Sequence, residues 1–320
     1  MPDGTVDHQP GPVPTMTTVA TGAEAAPTVE ALGLEEHGLS QRTLMWRRFR
    51  RHKLAIASLV TLVVIGLATL LAGVLSPYEY SEQHLDQILQ GPSAKHLLGT
   101  DQLGRDELTL LLYGGRVSLL IGLGVALVSG VVGTLVGVAA GFYGGRLDNA
   151  VMRLTDLFLS IPLLVLLIIA SRATGGSIRD IVLVLSLALW MFLARIVRGL
   201  FLSLREKEFV EAARSIGASN RRIIFRHMLP NALGVIIVSI TLTVAIAILT
   251  ESLLSFLGFG IQPPTPTWGN MLEDGRPQMT FAGWLVWFPG LAILLTVMCV
   301  NFLGDGLRDA LDPTQRRVRA

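Results

Sequence analysis

Cysteine occurs once in this chain, at Cys299, inside an apolar run. That excludes an internal disulfide and a cysteine-held metal cluster, and leaves a small inert hydrophobe. Charge is scarce as well: Asp, Glu, Lys and Arg make up 16% of the 320 residues, and the net charge is +2. So small a surplus argues against nucleic acid as a partner. No GxxxxGK[ST] loop occurs, so the chain lacks the phosphate cradle needed to bind ATP itself. The apolar runs hold no His, Asp or Glu cluster at catalytic spacing, which weighs against a membrane-embedded enzyme. Nor do they hold a chain of buried acids or histidines for coupling ions, which weighs against a secondary transporter or channel acting alone.

Apolar residues are what the chain has in plenty. They form 51% of the sequence, and mean hydropathy is +0.56, more than a soluble domain of this size can hide. Crossing roughly 30 Å of hydrocarbon takes about 20 apolar residues. Six segments meet that length, near 54–75, 117–139, 147–170, 178–201, 230–257 and 283–304. The reading is an all-α polytopic membrane protein with six transmembrane helices. The first run exceeds the roughly 7–15 residues of a signal core, so it is expected to remain as an anchor. With the N-terminus inside, all but six of the 26 basic residues fall on the cytoplasmic side. The exceptions are Lys95, Arg105, Arg116, Arg172, Arg179 and Arg276, so both termini are expected in the cytoplasm.

Residues 1–40, rich in Pro, Gly, Thr and Ala, show no apolar periodicity and read as a disordered cytoplasmic tail ahead of a membrane domain at 41–320. On the second span Ser129, Gly133, Gly137 and Gly141 stand four apart and make one face against which a neighbouring backbone can close. Pro162 predicts a kink in the third span.

Between the fourth and fifth spans the hydrophobic pattern stops for a charged, helix-forming elbow at 205–230. Phe209, Ala212, Ala213 and Ile216 stand at i, i+3, i+4 and i+7, which predicts a short amphipathic helix. Gly217 suits its stop, Ser219 or Asn220 suits the cap of a second helix, and Pro230 opens the fifth span. Two alanines and a glycine keep the elbow thin, as a knob seated in a partner's socket requires. The same residues, with Arg214, Arg221, Arg222 and Arg226, also suit a helix resting on lipid headgroups.

Other residues pose narrower questions. Glu251, near the outer end of the fifth span, either lines a cavity and meets a peptide amine or pairs at the interface. Ser239, Thr241, Thr243 and Ser252 on that span offer hydroxyls to a pathway. The segment with Pro263, Pro264 and Trp268 reads as a stiff external loop for a docking protein, or as an aromatic anchor at headgroup level. His84 and His96 are isolated and read as surface residues rather than metal ligands. Arg153 with Asp156, and Asp305 with Arg308, read as local ion pairs.

The elbow's Glu211-Ala212-Ala213, Gly217 and Leu229-Pro230 resemble the signature loop of permease subunits in binding-protein-dependent ABC importers. Three further stretches are similar to the C-type permease of oligopeptide, dipeptide and nickel importers: LLGTDQLGRDELTLLLYGGRVSL, SFLGFGIQPPTPTWGNMLEDGR and NFLGDGLRDALDP. The chain departs from that family at Thr109-Leu110, where a Ser-Arg pair is usual, and at Gly114-Gly115-Arg116, where Gly-Ala-Arg is usual. The resemblance implies a type I importer fold and a heterodimer with a second homologous permease. It also implies two ABC ATPase subunits that bind ATP and Mg, an extracytoplasmic binding protein, and a bacterial inner-membrane location. It implies that Glu211, Ala212, Ala213, Arg214, Gly217, Leu229 and Pro230 couple to the ATPases. The chain itself is expected to need no cofactor or metal. Peptide is the implied substrate, with nickel or another small solute as the alternative.

Overall fold

The computed structural model describes residues 41–311; the expected disordered tail at 1–40 lies outside the described residues. Among the described residues there is no strand, only an isolated bridge from Thr100 to Asp106. The helices are α1 (Gln41–Arg51), α2 (Lys53–Leu70), α3 (Glu107–Tyr143), α4 (Gly145–Leu159), α5 (Leu163–Thr174), α6 (Ile178–Arg205), α7 (Glu208–Ser215), α8 (Leu229–Phe256), α9 (Trp268–Gly275) and α10 (Trp284–Leu311). Five helical runs are long and apolar enough to cross a bilayer, and a sixth arises if α4 and α5 count as one broken span.

That break modifies the third predicted span, which reads as continuous over 147–170 but is two helices meeting at 88°. Pro162 sits at the corner in an extended conformation, φ −53° and ψ 123°. With no N–H to give and a ring that crowds the preceding turn, it cannot continue α4. Leu166 N–H then donates to the Pro162 carbonyl and restarts the helix as α5.

The glycine face on α3 packs against α6. A Cβ built on Gly133 would stand 2.7 Å from the Trp190 carbonyl oxygen, one on Gly137 2.6 Å from that of Ala194, and one on Gly141 2.7 Å from that of Arg198. Each step along α3 is matched by a step of one turn along α6, so the two backbones touch along a seam that tolerates hydrogen alone. Farther along α3, Gly122 and Gly130 receive Ile248 and Ile240 of α8. The faces turned away from these seams remain apolar: Leu123, Leu127 and Leu135 are more than half exposed. Such surface belongs against lipid tails, where helix association rests on close packing and not on water expulsion.

The ion pairs differ from the local ones expected. Asp156 pairs with Arg195 of α6, not with Arg153, and Arg198 grips Asp148 of α4 through two hydrogen bonds, the second at 2.6 Å. Asp305 and Arg308 do not pair; Asp309 on the last turn lies 3.8 Å from His52 instead. Arg198 engages both oxygens of Asp148, while Arg195 bonds one oxygen of Asp156 and the Thr155 hydroxyl beside it, so a packed neighbour outcompetes the local base Arg153.

Candidate functional site

The elbow begins with α7, whose first turn carries Glu208 and Glu211 where the helix dipole favours negative charge. Its end closes by two bonds: Gly217 N–H donates to the Arg214 carbonyl at 2.9 Å and Ala218 N–H to that of Ala213 at 3.0 Å. This double bond pattern requires a left-handed residue at the first position past the cap, and Gly217 has φ +77°. Ser219 caps the next turn by accepting from Arg222 N–H at 3.4 Å. No break follows. A helical turn at Asn220–Arg222, a π-helical stretch at Ile223–Met228 and α8 run together as one helix, Asn220–Phe256. The wider π turn lets Leu229 N–H reach the Ile224 carbonyl, five residues back. Pro230, which lacks a donor, therefore sits in the first turn after the widened stretch rather than ending a helix.

Burial divides the expected stripe. Val210 and Ala213 are enclosed with Phe142, Val197, Phe201, Ile223 and Met228 in a single apolar cluster that seats the elbow on the ends of α3 and α6. Ala212, Phe209 and Ile216 face outward, Ile216 at 83% exposure, and Phe225 joins them at 62%. The amphipathic helix is present as expected, and its periodicity marks apolar positions without saying which have a partner inside the subunit. Glu211 and Arg214 are exposed beside this apolar ridge, and nothing stands within 4 Å of a Cβ placed on Gly217.

Glu251 does not line an open surface. It is wholly buried, its Oε1 accepting from Ser255 Oγ at 2.8 Å with Ser118 and Thr267 beside it. Ser239 and Thr243 are half-buried, and the Thr243 hydroxyl donates to the Ser239 carbonyl at 2.8 Å. The loop at 263–268 divides in the same way. Pro263 and Pro264 are exposed, but Trp268 is 2% exposed and is neither a docking residue nor a headgroup anchor. Its indole N–H donates to the Leu111 carbonyl at 3.0 Å, and its backbone N–H to Ser118 Oγ at 3.2 Å. The ring lies 2.7 Å from where a Cβ on Gly115 would stand, so the departure from Ala at that position makes the space the indole fills. Trp268→Ala is expected to destabilise the solubilised chain by about 3–5 kcal/mol, and Trp268→Phe by much less. Thermal denaturation of the purified protein measures both.

The segment between α2 and α3 is a folded cap that residue-level reasoning missed. His96 is fully buried, not a surface residue, stacked on Tyr78 at 5.0 Å. Its Nδ1 lies 2.9 Å from Asp106 and its Nε2 2.9 Å from Gln87. Asp106 also accepts from Thr109 N–H at 2.9 Å, which caps α3. Asp101 accepts from the backbones of Leu103 and Arg105, each at 2.8 Å, and from the Arg105 guanidinium at 2.6 Å. Aspartates at both ends of the Asp-Gln-Leu-Gly-Arg-Asp run were the available signal, since an acid that precedes a helix caps it and one that precedes a glycine turn folds onto its own backbone.

Cap, external loop and α9 meet around a cavity of about 250 Å³ lined by Asp101, Arg105, Glu107, Pro264, Glu273 and Asp274, among others. Arg105 reaches Asp274 as well, at 3.6 Å. Burial pushes the Asp274 carboxyl above its ordinary range, opposed by Arg105 and reinforced by Asp101. Burial, and then Asp274, does the same to Glu273. No group of three or more metal-ligating side chains able to hold a metal ion occurs among the described residues.

Residues 133–317 match the family described as binding-protein-dependent transport system inner membrane component, and residues 40–92 match the N-terminal TM domain of oligopeptide transport permease C. The oligopeptide transport system permease protein OppC of Mycobacterium tuberculosis (strain ATCC 25618 / H37Rv) is 44% identical over 282 residues, covering 88% of this chain and 97% of that protein. The dipeptide transport system permease protein DppC of Bacillus subtilis (strain 168) is 41% identical over 289 residues, 90% of each. Among solved structures, an inward-facing MetNI methionine ABC transporter aligns with a TM-score of 0.53 at 21% identity, covering 63% of this chain and 96% of the other; at that identity the likeness supports the fold alone. With the elbow's Gly217 closure and the helical architecture in agreement, the chain belongs to the binding-protein-dependent transport permeases, the type I membrane-spanning subunits of ABC importers.

Proposed function

We propose that this chain forms half of a peptide-translocating pore in the bacterial inner membrane, with both termini in the cytoplasm. A second homologous permease supplies the other half, and two ABC ATPase subunits bind ATP and Mg beneath them. An extracytoplasmic binding protein delivers peptide to the outer face. The chain performs no chemistry. Its share of the cycle is mechanical: the ATPases move the elbow, and the elbow moves the helices it is seated on.

The observation that supports this reading is the division of the elbow into two faces. Val210 and Ala213 are locked into the subunit's own core, while Ala212, Phe209 and Ile216 project from it with Glu211 and Arg214 alongside. An apolar ridge edged by charge has the composition of a protein-docking surface, apolar contact supplying affinity and the rim fixing orientation. Force applied there passes through Val197 and Phe201 into α6, and from α6 through Arg198 and Asp148 into α4. Leu229 and Pro230 carry the same displacement into α8. The half-buried Ser239 and Thr243 on α8 are the proposed contributors to the peptide path.

Affinity purification of the tagged chain from its native membrane tests the reading. The ATPases and a second permease should copurify, and proteoliposomes holding the assembly and binding protein should take up peptide only with ATP. A tagged chain that purifies without ATPases, yet moves solute alone, overturns it. Uptake of nickel in place of peptide overturns the substrate assignment.

A further inference from the structure

The outer cavity has the layout of a socket for a long basic side chain. Glu107, in the first turn of α3, is 2% exposed, and its Oε1 has no hydrogen-bond partner. An unpaired carboxyl oxygen at that depth is costly unless a donor reaches it from the cavity it lines. Three further carboxylates, Asp101, Glu273 and Asp274, wall the same space against one guanidinium, Arg105, which Asp101 already engages at 2.6 Å. The cavity therefore sets four acidic side chains against one guanidinium. Burial grades from the enclosed Glu107 to the exposed Glu273 and Asp274. Ile261, Pro264 and Leu285 supply apolar wall.

A bare divalent ion is a poor fit, because no three carboxylates or histidines converge on a point among the described residues. A lysine or arginine side chain fits better. Its aliphatic stem suits the apolar wall, and its charged end can pass the exposed Glu273 and Asp274 to reach the Glu107 carboxyl. The exposed Pro263 and Pro264 border this cavity. The geometry points to the extracytoplasmic binding protein as the source: docking inserts one of its basic side chains into this cavity to meet Glu107. The inference rests on the proposed reading of the outer face as the binding protein's side.

The test uses the complete importer in nanodiscs and the purified binding protein, with docking affinity measured across a salt series. Glu107→Gln keeps the shape and removes the carboxyl with which an inserted base would pair. It should raise the docking Kd by roughly tenfold or more and flatten its dependence on salt. Thr265→Trp, which obstructs the cavity from a partly exposed wall position, should weaken docking comparably, and it carries the test if Glu107→Gln fails to assemble. Restoration of affinity by a lysine at position 107 paired with an acidic replacement on the binding protein would identify the inserted side chain. Wild-type docking affinity in both variants overturns the inference and leaves the docking reading intact. Failure of the wild-type importer to dock the binding protein at all overturns the reading beneath it. Loss of uptake confined to lysine- or arginine-containing peptides, with docking unchanged, assigns the cavity to cargo and also overturns the inference.

Discussion

Gly137→Leu should abolish the folded subunit, while Gly199→Leu, on the opposing helix, should be accepted. At Gly137 the first added carbon would sit 2.6 Å from the Ala194 carbonyl oxygen and 2.8 Å from Val197 Cβ. Backbone cannot rotate aside as a side chain can. The helices must part, and parting them at the middle of the seam also breaks the contacts at Gly133 and Gly141. Overpacking of an ordinary core costs about 1–3 kcal/mol. Here the clash is with main chain in the middle of a three-point contact, so the upper end of that range is the expected minimum. Gly199 has nothing within 4 Å of an added Cβ and serves as the matched control on α6. Folded yield and thermal midpoint in detergent, measured for both variants, decide the question. A folded, wild-type-stable Gly137→Leu would mean that the seam does not hold α3 to α6.

Ile216→Asp should leave the chain folded and silence the importer. The side chain is 83% exposed, and substitutions at such positions usually change stability by no more than about 0.5 kcal/mol. At the centre of a docking surface the same change buries an unpaired carboxylate against a partner. Loss of an interface anchor costs about 2 kcal/mol or more, roughly thirtyfold in affinity. Peptide uptake and ATPase retention should therefore fall together while membrane insertion is unchanged. Glu211→Lys should act in the same direction through the rim charge. Gly217→Leu has a different cause: there is room for the side chain, but φ of +77° strains any residue with a Cβ, by about 1–2 kcal/mol. It should distort the turn, so copurification yield should drop even where the ridge itself is intact. If Ile216→Asp retains full uptake and bound ATPases, the ridge is not the coupling surface.

Features set by local spacing were legible before any coordinates. The four-residue spacing of Ser129, Gly133, Gly137 and Gly141 announces a helix seam, because one residue type at one pitch can serve only one face. Gly217 announces a turn, since it follows an amphipathic run and no other residue takes its conformation freely. What stayed hidden depends on contacts between distant segments. Trp268 is ambiguous in a list of residues; only Gly115, 153 positions earlier, and the Leu111 carbonyl determine that it points inward. Glu251 reads as either a cavity residue or an interface pair until Ser255 and Ser118 are found around it. His96 needs Gln87 and Asp106 to be recognised as buried. Phe209 and Ile216 share the apolar stripe with Ala213, and only the packing shows that they lie uncovered. The corner at Pro162 was visible as a kink, but the size of the bend depends on neighbours that accept both halves.

The run Asn220–Phe256 carries the second half of the elbow and the buried Glu251 in one piece of 37 residues. At about 1.5 Å per residue it is a rod some 55 Å long. A rod has no slack. In the proposed cycle, a displacement imposed at its Asn220 end would reach its Phe256 end without a relay of rearranging side chains, less whatever the widened turn at Ile223–Met228 absorbs.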